Sequence, residues 1–457
     1  MKKKILKVFA LIFCAAIFLT GCATVSNVKI NGKDAYFENI QYNQGQVVVV
    51  GDYVYFGNGF TSSSEENFKY GEAAKTGYLS RLNKSQNLTF GDKVTDQLKP
   101  VSSPNQVEKV NDGKLVGYQN QDMFALGEYI YFTSANTHQT NQLENDYTRV
   151  SLFRVKFNGD DFSEIVKNSA FKTGEGSTIT VQKGSDNNYY YIIAEPTENN
   201  TFSIKSLKIG NNIGKIKTIA EKATSYAIAD EASSVKNVVY TIASEPTQTI
   251  ATTSVKAVDF ASGETTDLDN GVTGSTLSFV GRVGDVVFYS YTYKGVQEIY
   301  YKSIANGESN FSPTQKFYNA TTIKEIQKAG EGYAFKTSGG ALMYKELNAS
   351  STLLLTSEQY SDILFIEDDQ IYVSNSSTIK RINTVNKEIE TILSLEEGKE
   401  LVSGQCGYDG EYIYFYSKIV YPEIDDMDED DKPKEDGRYY MFRTDMQGNT
   451  QLIGRKG

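Results

Sequence analysis

The sequence predicts an all-β protein, a single β-propeller of eight blades, each a four-stranded antiparallel sheet, with seven blades as the alternative. Three observations predict it. A phrase recurs along the chain: an apolar run, a Gly-Asp or Gly-Glu turn and Tyr-apolar-Tyr-Phe, as in residues 48–56, 127–132 and 410–415. Strand-forming residues alternate in short runs from about residue 48 to 453. The repeats also return at blade-like spacing.

That spacing defines eight units. Their first hairpins are predicted to turn near Asp52, Glu128, Asn187, Asn237, Asp285, Glu331, Asp369 and Glu411. After a first interval of 76 residues, the turns lie 38 to 59 residues apart, and propeller blades use about 40–50 residues. A hairpin cannot bury its apolar face alone, whereas blades stacked in a ring can. Units three, four and six carry the weakest signals, which keeps seven blades as the alternative.

Each unit also offers a third strand, predicted at residues 78–82, 151–157, 202–209, 255–260, 298–302, 342–346, 378–382 and 439–444. A fourth strand follows in several units, as at residues 450–453. The best helix candidate, residues 323–329, is one or two turns at most. We interpret the repeated tyrosines as core and inter-blade packing rather than as a ligand surface.

The N-terminus has the layout of a secretory signal peptide. Three lysines precede an apolar run over residues 5–19, which ends in Leu-Thr-Gly-Cys at residues 19–22. These four residues resemble the bacterial lipobox, which implies cleavage before Cys22 and lipidation of its sulfur; an ordinary cleaved signal peptide is the alternative. The predicted layout is a signal peptide at 1–21, a lipidated cysteine and short tether at 22–40 and the propeller at 41–457. We therefore expect an exported protein anchored to the bacterial cell membrane.

Cysteine and charge narrow the function classes. Once Cys14 is removed and Cys22 lipidated, only Cys406 remains, which leaves no intramolecular disulfide. The strand-like surroundings of Cys406 predict a buried, inert thiol. The net charge of −11, without a basic patch, argues against nucleic acid as a partner. We expect a monomer.

Two units resemble a known family. Tyr-Phe-Thr-Ser at residues 131–134, followed by Leu-Phe-Arg-Val at 152–155, is similar to the Tyr-Trp-Thr-Asp repeat of low-density-lipoprotein-receptor-type propellers. The last unit repeats the pattern with Phe-Arg-Thr-Asp at 442–445. The chain looks like bacterial propeller families of unknown function related to that type. It has no Trp, Ser134 replaces the Asp, and the receptor propeller has six blades, so the resemblance implies a fold but no ligand.

A second resemblance lies in residues 258–264, which are similar to the Asp-x-x-Thr-Gly turn of quinoprotein-like propellers. An eight-bladed lipoprotein of that kind helps to assemble outer-membrane proteins. The resemblance therefore implies an assembly or structural role as one alternative function.

Few residues suggest a catalytic or metal-binding role. The only histidine, His138, lies in a polar stretch and is interpreted as an exposed loop residue. Asp426, Asp428 and Asp430 have the spacing of a calcium loop, but Asp431 stands where that loop needs glycine. A solvated acidic loop is favoured over residues 425–431, and we predict no metal and no cofactor. Paired carboxylates for glycoside hydrolysis stay open.

Three units interrupt the repeat with long insertions, at residues 57–76, 134–149 and 418–437. Units eight, one and two are neighbours in a closed ring, so the hypothesis is a polar wall on one face where a protein or glycan partner docks. Three independent insertions are the alternative. The predicted function is non-catalytic binding of a protein or cell-wall glycan. The alternatives are a propeller enzyme that processes glycan or peptide, and an assembly lipoprotein.

Overall fold

The structure, a computed structural model, describes residues 26–58, 78–87, 108–109, 123–135, 149–166, 171–243, 252–273, 276–293, 295–305, 311, 315–320, 322–402, 406–419 and 439–454. Eight larger antiparallel sheets follow one another along this part of the chain, in addition to a two-stranded sheet at residues 29–34. The predicted eight-bladed propeller of four-stranded sheets is confirmed, and the seven-bladed alternative is wrong. In the described part, no helix is long and apolar enough to cross a membrane.

Three strands precede the first blade: β1 (Lys29–Ile30), β2 (Lys33–Asp34) and β3 (Phe37–Tyr42). Blade one contains β4 (Val47–Val50), β5 (Tyr53–Asn58), β6 (Tyr78–Asn83) and β7 (Glu108–Lys109). Blade two contains β8 (Phe124–Gly127), β9 (Tyr129–Ala135), β10 (Arg149–Lys156), β11 (Ser163–Glu164) and β12 (Phe171–Lys172), the last two both pairing with β10.

Blade three contains β13 (Thr178–Lys183), β14 (Tyr189–Pro196), β15 (Phe202–Ile209) and β16 (Lys217–Ala223). Blade four contains β17 (Ser225–Ile228), β18 (Asn237–Ala243), β19 (Thr252–Asp259) and β20 (Thr265–Thr273). Blade five contains β21 (Thr276–Val283), β22 (Val286–Tyr293), β23 (Val296–Ser303) and β24 (Lys316–Tyr318).

Blade six contains β25 (Ile323–Ala329), β26 (Gly332–Thr337), β27 (Leu342–Lys345) and β28 (Leu353–Thr356). Blade seven contains β29 (Asp362–Glu367), β30 (Gln370–Ser374), β31 (Thr378–Asn383) and β32 (Ile389–Ser394). Blade eight contains β33 (Lys399–Leu401), β34 (Gly407–Tyr408), β35 (Tyr412–Ile419), β36 (Tyr439–Asp445) and β37 (Thr450–Gly454). Its inner strand is in two pieces, because β33 and β34 both pair with β35.

The strands of each blade are called A to D from the channel outward, and the repeated Gly-Asp phrase forms the A–B turn. In blade one, Val50 pairs with Tyr53, so Gly51 and Asp52 form a two-residue loop. Gly51 has a φ of +57°, which glycine adopts without a steric penalty at the first position of a type II′ hairpin turn. Asp368 adopts the same region in blade seven, with a φ of +49°. We call the side of the ring with these turns the lower face.

The helix candidate at residues 323–329 is wrong, because this segment is β25, the inner strand of blade six. Its pairing shifts between Lys324 and Gln327, where Glu325 has a φ of +49°. Such a bulge adds a residue and offsets the alternation of side chains. Ile323 and Ile326 therefore both face the cluster between blades five and six, whereas Ala329 faces the cluster between blades six and seven. Their spacing of three imitates a helical pattern.

The core consists of eight apolar clusters, one at each junction between neighbouring blades, as the blade one–two and blade eight–one clusters illustrate. Repeated tyrosines lie inside them: Tyr55, Tyr131, Tyr289 and Tyr414 are almost completely buried. Their interpretation as inter-blade packing is confirmed at these positions.

In the described part, blades one and eight share no strand. Side chains and backbone groups connect them instead. The N–H of Tyr408 donates to the carbonyl of Asn43 at 2.7 Å, and Asn43 Nδ2 donates to the carbonyl of Tyr408 at 2.9 Å. The hydroxyl of Tyr416 donates to the carbonyl of Gly57 at 2.7 Å. Among the described residues, the ring is closed by these bonds and by an apolar cluster rather than by strand pairing.

An arginine recurs on strand C of blades eight, one and two. Each guanidinium lies over the first tyrosine of strand B, with ring-centroid distances of 4.4 Å for Arg81, 4.2 Å for Arg154 and 4.6 Å for Arg443. Each also donates to a carbonyl of the next blade's C–D connection, at Phe157, Gly210 and Gln86. Stacking within its own blade positions each guanidinium, and the charged hydrogen bond connects it to the next blade.

Residues 26–40, predicted to be part of a tether, pack on the propeller. The β1–β2 hairpin lies on the lower face, where Val28 and Ala35 are buried against blades one and two. β3 then pairs antiparallel with the inner strand of blade two, Phe37 with Gly127 and Tyr42 with Phe124. The strand β8 runs towards the lower face. Because β3 is antiparallel to β8, it runs through the central channel to the opposite side, which we call the upper face.

The three predicted insertions lie mostly outside the described residues, at 59–77, 136–148 and 420–438. The described strands on either side of them are strands B and C of blades one, two and eight. All three connections therefore leave and return on the upper face, and the clusters between blades eight and one and between one and two make these blades neighbours.

Candidate functional site

The candidate site is a groove inside the channel, between β3 and the inner strand of blade three. Its volume is about 200 Å³. Its walls contain both apolar and polar side chains: Ile40, Tyr42, Phe124, Ile179, Thr180, Val181, Gln182, Lys183, Tyr189, Tyr191 and Glu231. We call this space the inner groove.

One wall is built by the first hairpin of blade three. Alternation along β13 places Ile179, Val181 and Lys183 on one side, and Val181 pairs with Tyr191 while Lys183 pairs with Tyr189. Ile179 and Tyr191 belong to the apolar cluster between blades two and three. The groove therefore lies at a blade junction, where packing fixes its walls.

The opposite wall is held in place by Tyr189. Its hydroxyl donates to Asn39 Oδ1 at 3.0 Å and accepts a hydrogen bond from the backbone N–H of Ile40 at 3.4 Å. Lys183 Nζ lies 5.7 Å from the centroid of the Tyr189 ring. Tyr189 thus links blade three to β3 and sets the separation of the two walls.

Tyr191 gives the groove its unusual chemistry. The residue is 3% exposed, and its hydroxyl has no hydrogen-bond partner among the described residues. Burial raises the pKa of this phenol well above its usual range, and the nearby Tyr131 adds to the rise. A buried hydroxyl without a partner destabilises the fold.

Neighbouring tyrosines do have partners. The Tyr131 hydroxyl donates to the carbonyl of Gly210 at 3.3 Å, and the Tyr190 hydroxyl donates to Asp186 Oδ2 at 2.9 Å. Tyr190 lies next to Tyr191 on β14 and points to the other side of the sheet. The unpartnered hydroxyl therefore distinguishes Tyr191 from these two neighbours.

Several A–B turn carboxylates are used inside the scaffold. Asp230 Oδ2 accepts from the N–H of Gly284, and Asp285 Oδ1 accepts from the N–H of Ser234, both at 2.8 Å. Asp409 forms an ion pair with Lys84 at 2.7 Å across the blade eight–one junction. These acids connect neighbouring blades, as expected for a repeated structural turn.

No group of three or more His, Cys, Asp or Glu residues within the described ranges could hold a metal ion. Cys22, His138 and the acidic run at 425–431 lie outside those ranges. The predictions of Cys22 lipidation and of a solvated acidic loop stay predictions.

Two features singled out in the sequence lie within the described residues. Cys406 is 6% exposed and unpaired, which confirms the prediction of a buried thiol. The quinoprotein-like segment at 258–264 forms the turn between β19 and β20, where Asp259 Oδ1 accepts from the N–H groups of Ala261 and Ser262. Both features are structural, and neither lies in the inner groove.

The inner groove was not predicted from the sequence. Residues up to 40 were expected to form a tether, whereas β3 forms one wall. The available signal was the short alternation Phe37-Glu-Asn-Ile-Gln-Tyr42 just before the first repeat, which has strand character but no hairpin partner nearby. The unpartnered state of Tyr191 depends on the folded surroundings and has no sequence signal.

No protein-family model matches the sequence, and no curated protein matches it either. Oligopeptidase B from Leishmania major is similar in structure, with 10% identity and a TM-score of 0.43 over 84% of this chain and 54% of that chain. This chain thus spans about half the length of that enzyme.

TolB from Acinetobacter baumannii is similar with 11% identity and a TM-score of 0.30, over 59% of this chain and 76% of that chain. The propeller domain of the Trilobed protease from Pyrococcus furiosus is similar with 8% identity and a TM-score of 0.35, over 91% of this chain and 99% of that chain. The similarity is distant and concerns the propeller fold alone.

Proposed function

We propose that this chain is a non-catalytic binding protein of the bacterial cell envelope, which holds a protein or cell-wall glycan partner in the inner groove. The unpartnered hydroxyl of Tyr191 carries the proposal. The groove supplies apolar contact surface from Ile40, Phe124 and Val181, and hydrogen-bonding groups from Gln182 and Lys183. Such a mixture of apolar walls and a few polar groups is typical of binding sites.

The rival enzyme hypothesis needs free acid and base groups at the site. Glu231 is the only carboxylate among the groove-lining residues of the described part, and Lys183 is the only amine. Hydrolysis of a glycosidic bond usually requires two carboxylates on either side of it. This difference favours binding over turnover.

We propose lipid attachment at Cys22 as the means of anchoring. The support is the sequence of residues 2–22. In cells given an alkyne-tagged fatty acid, the protein should carry the label and sediment with membranes. The variant Cys22→Ser should lose the label and its sedimentation; labelling that survives this change would contradict the anchor.

We also propose that the repeat is of the low-density-lipoprotein-receptor type in blades one, two and eight. The support is the shared spacing of the strand-C arginine: Leu79-Ser-Arg81, Leu152-Phe-Arg154 and Met441-Phe-Arg443. All three arginines stack on the first tyrosine of strand B. The absence of Trp from the sequence is the main departure.

The binding proposal is tested by capture from envelope extract with the full chain immobilised in detergent. We expect a specific partner to be captured by the native chain and lost from Tyr191→Phe. Tyr190→Phe, which removes a hydroxyl on the other side of the same strand, should retain it.

A variant without residues 59–77 and 420–438 tests whether the partner binds in the inner groove or at the polar wall predicted from the sequence. If capture depends on those residues and not on Tyr191, the groove is not the site. Release of fragments from peptidoglycan or peptide substrates, followed by mass spectrometry, would support the rival enzyme instead.

A further inference from the structure

We propose that the inner groove binds an extended peptide, which pairs with β13 as an additional inner strand of blade three. This inference rests on the proposed function, because it names the chemical class of the partner that the groove holds. Three features of the described residues carry it: the way β13 faces the groove, the arrangement of β3 on the neighbouring blade, and the hydroxyl of Tyr191.

The first feature is that β13 meets the groove with its edge. Five consecutive residues, from Ile179 to Lys183, line the groove. Successive side chains of a strand point to opposite sides of the sheet, so a space that contacts all five must adjoin the backbone edge. At about 3.3 Å per residue, this edge is about 13 Å long. That length matches a peptide of four or five extended residues.

The second feature is that this edge is open to pairing. In the described part of the chain, β13 pairs only with β14, on its outer side. The inner edge of a terminal strand presents backbone N–H and C=O groups that a further strand can satisfy. A peptide gains affinity from these bonds regardless of its sequence, while pockets for its side chains provide selectivity.

β3 shows what such a strand looks like in this channel. It covers the inner edge of β8 in blade two by antiparallel pairing, with Gln41 opposite Ala125 and Tyr42 opposite Phe124. Blade two therefore already holds an additional inner strand. The inner groove is the corresponding place on blade three, with β3 itself as the far wall.

The third feature defines one side chain of the peptide. Ile40, Phe124 and Ile179 form apolar surface beside Tyr191, whose hydroxyl is buried. A side chain with an apolar stem and a hydrogen-bonding end, such as that of Gln or Tyr, would fill this space and satisfy the hydroxyl.

The test starts with the full chain in detergent micelles and a phage library of random heptapeptides. A selected heptapeptide is then made with acetylated and amidated ends, and each of its backbone nitrogens is methylated in turn. Affinity is measured by fluorescence anisotropy. Strand pairing uses the N–H groups of every second residue, so methylation should weaken binding at least about tenfold at alternate positions and about twofold or less between them.

Two variants connect this binding to the groove. Tyr191→Phe should weaken the selected peptide about fivefold, which corresponds to one lost hydrogen bond. Tyr190→Phe should leave its affinity unchanged. Equal losses in both variants would mean a general structural effect and would overturn the inference.

The glycan alternative is tested in parallel with chitotriose. Binding of chitotriose that depends on Tyr191, without any selected peptide, would overturn the peptide inference while the proposed groove function stands. Peptides that bind but tolerate N-methylation at every position would also overturn strand pairing. If the chain binds neither peptide nor chitotriose, the inference is overturned. The groove function is refuted separately if the Tyr191→Phe variant captures the envelope partner as well as the native chain does.

Discussion

Arg443 Nη2 donates to the carbonyl of Gln86 at 3.1 Å, which ties strand C of the last blade to the C–D connection of the first. The same guanidinium bonds Gln451 through Nε at 2.8 Å and lies over Tyr412. Arg81 makes the corresponding bond to Phe157, between blades one and two. The junction that closes the ring therefore uses the same contact as a junction between consecutive blades.

Replacing Arg443 should weaken this closure. Arg443→Met should lower the free energy of unfolding by about 2–3 kcal/mol, because the carbonyl of Gln86 loses its charged donor and Tyr412 loses the guanidinium stacked on it. Arg381→Met is the matched control. Arg381 pairs with Glu390 inside its own blade at a partly exposed position, and its loss should amount to less than about 1 kcal/mol. Urea denaturation followed by tyrosine fluorescence measures both, and equal losses would contradict a special role of the ring junction.

The Asp409–Lys84 pair predicts a pH dependence of stability. Burial tends to raise the pKa of Asp409, but hydrogen bonds from Lys84 and from backbone N–H groups outweigh it and hold the pKa below its usual value. Burial alone would lower the pKa of Lys84, but the contact with Asp409 outweighs it and raises that pKa. Stabilisation by Asp409 is thus present above about pH 4, its unfolded pKa, and disappears as the pH falls through the lower folded pKa.

The variant Asp409→Asn tests this dependence. It should unfold about 1–2 kcal/mol more easily than the native chain at pH 7, and the difference should shrink below about pH 4. Asp52→Asn changes an exposed carboxylate in the equivalent turn of blade one and should have little effect at either pH. The ion-pair explanation would be contradicted if the difference in the free energy of unfolding between Asp409→Asn and the native chain were unchanged at about pH 2.5, which is well below about pH 4.

Tyr191 and Tyr190 should respond to the same substitution with opposite signs. Tyr191→Phe removes an unpartnered buried hydroxyl and should stabilise the free protein by about 1 kcal/mol. Tyr190→Phe removes a bond to Asp186 and should destabilise it by about 1 kcal/mol. Thermal unfolding measured by circular dichroism decides this, and a destabilised Tyr191→Phe would show that the hydroxyl has a partner in the free fold.

Cys406 should react only after unfolding. Burial, with a smaller contribution from Asp362, raises the pKa of the Cys406 thiol to about 12, so thiolate is scarce at neutral pH. Iodoacetamide at about pH 8 should leave Cys406 unmodified in the native chain and modify it in about 8 M urea, as checked by peptide mass spectrometry. Rapid modification without urea would contradict the buried position.

Local chemistry made most of the fold predictable. The Gly51-Asp52 and Gly284-Asp285 turns require only their own residues and neighbouring strands, and Phe202–Ile209 was predicted to the residue. β25 was harder, because the bulge at Glu325 disturbs the alternation that identifies a strand. Blade seven was recognisable even though Asp368 replaces glycine in the turn.

The candidate site was not predictable in the same way. β3 pairs with β8 across more than eighty residues, and its register shifts between Phe37 and Gln41, so no short window of sequence contains the information. Whether Tyr191 finds a partner depends on which blades surround it. Pairing between distant segments and satisfaction of buried polar atoms are properties of the assembled ring.

The passage of β3 through the channel also fixes a direction in space. Ser26, bonded to Arg81, and the β1–β2 hairpin lie on the lower face. With a lipid on Cys22, the four residues to Ser26 reach at most about 14 Å, so the A–B turns would face the bilayer and the B–C connections the surroundings. A partner would then enter the groove at its outward end, beside Tyr42. The strand β3, which forms one wall of the groove, would also orient that opening away from the membrane.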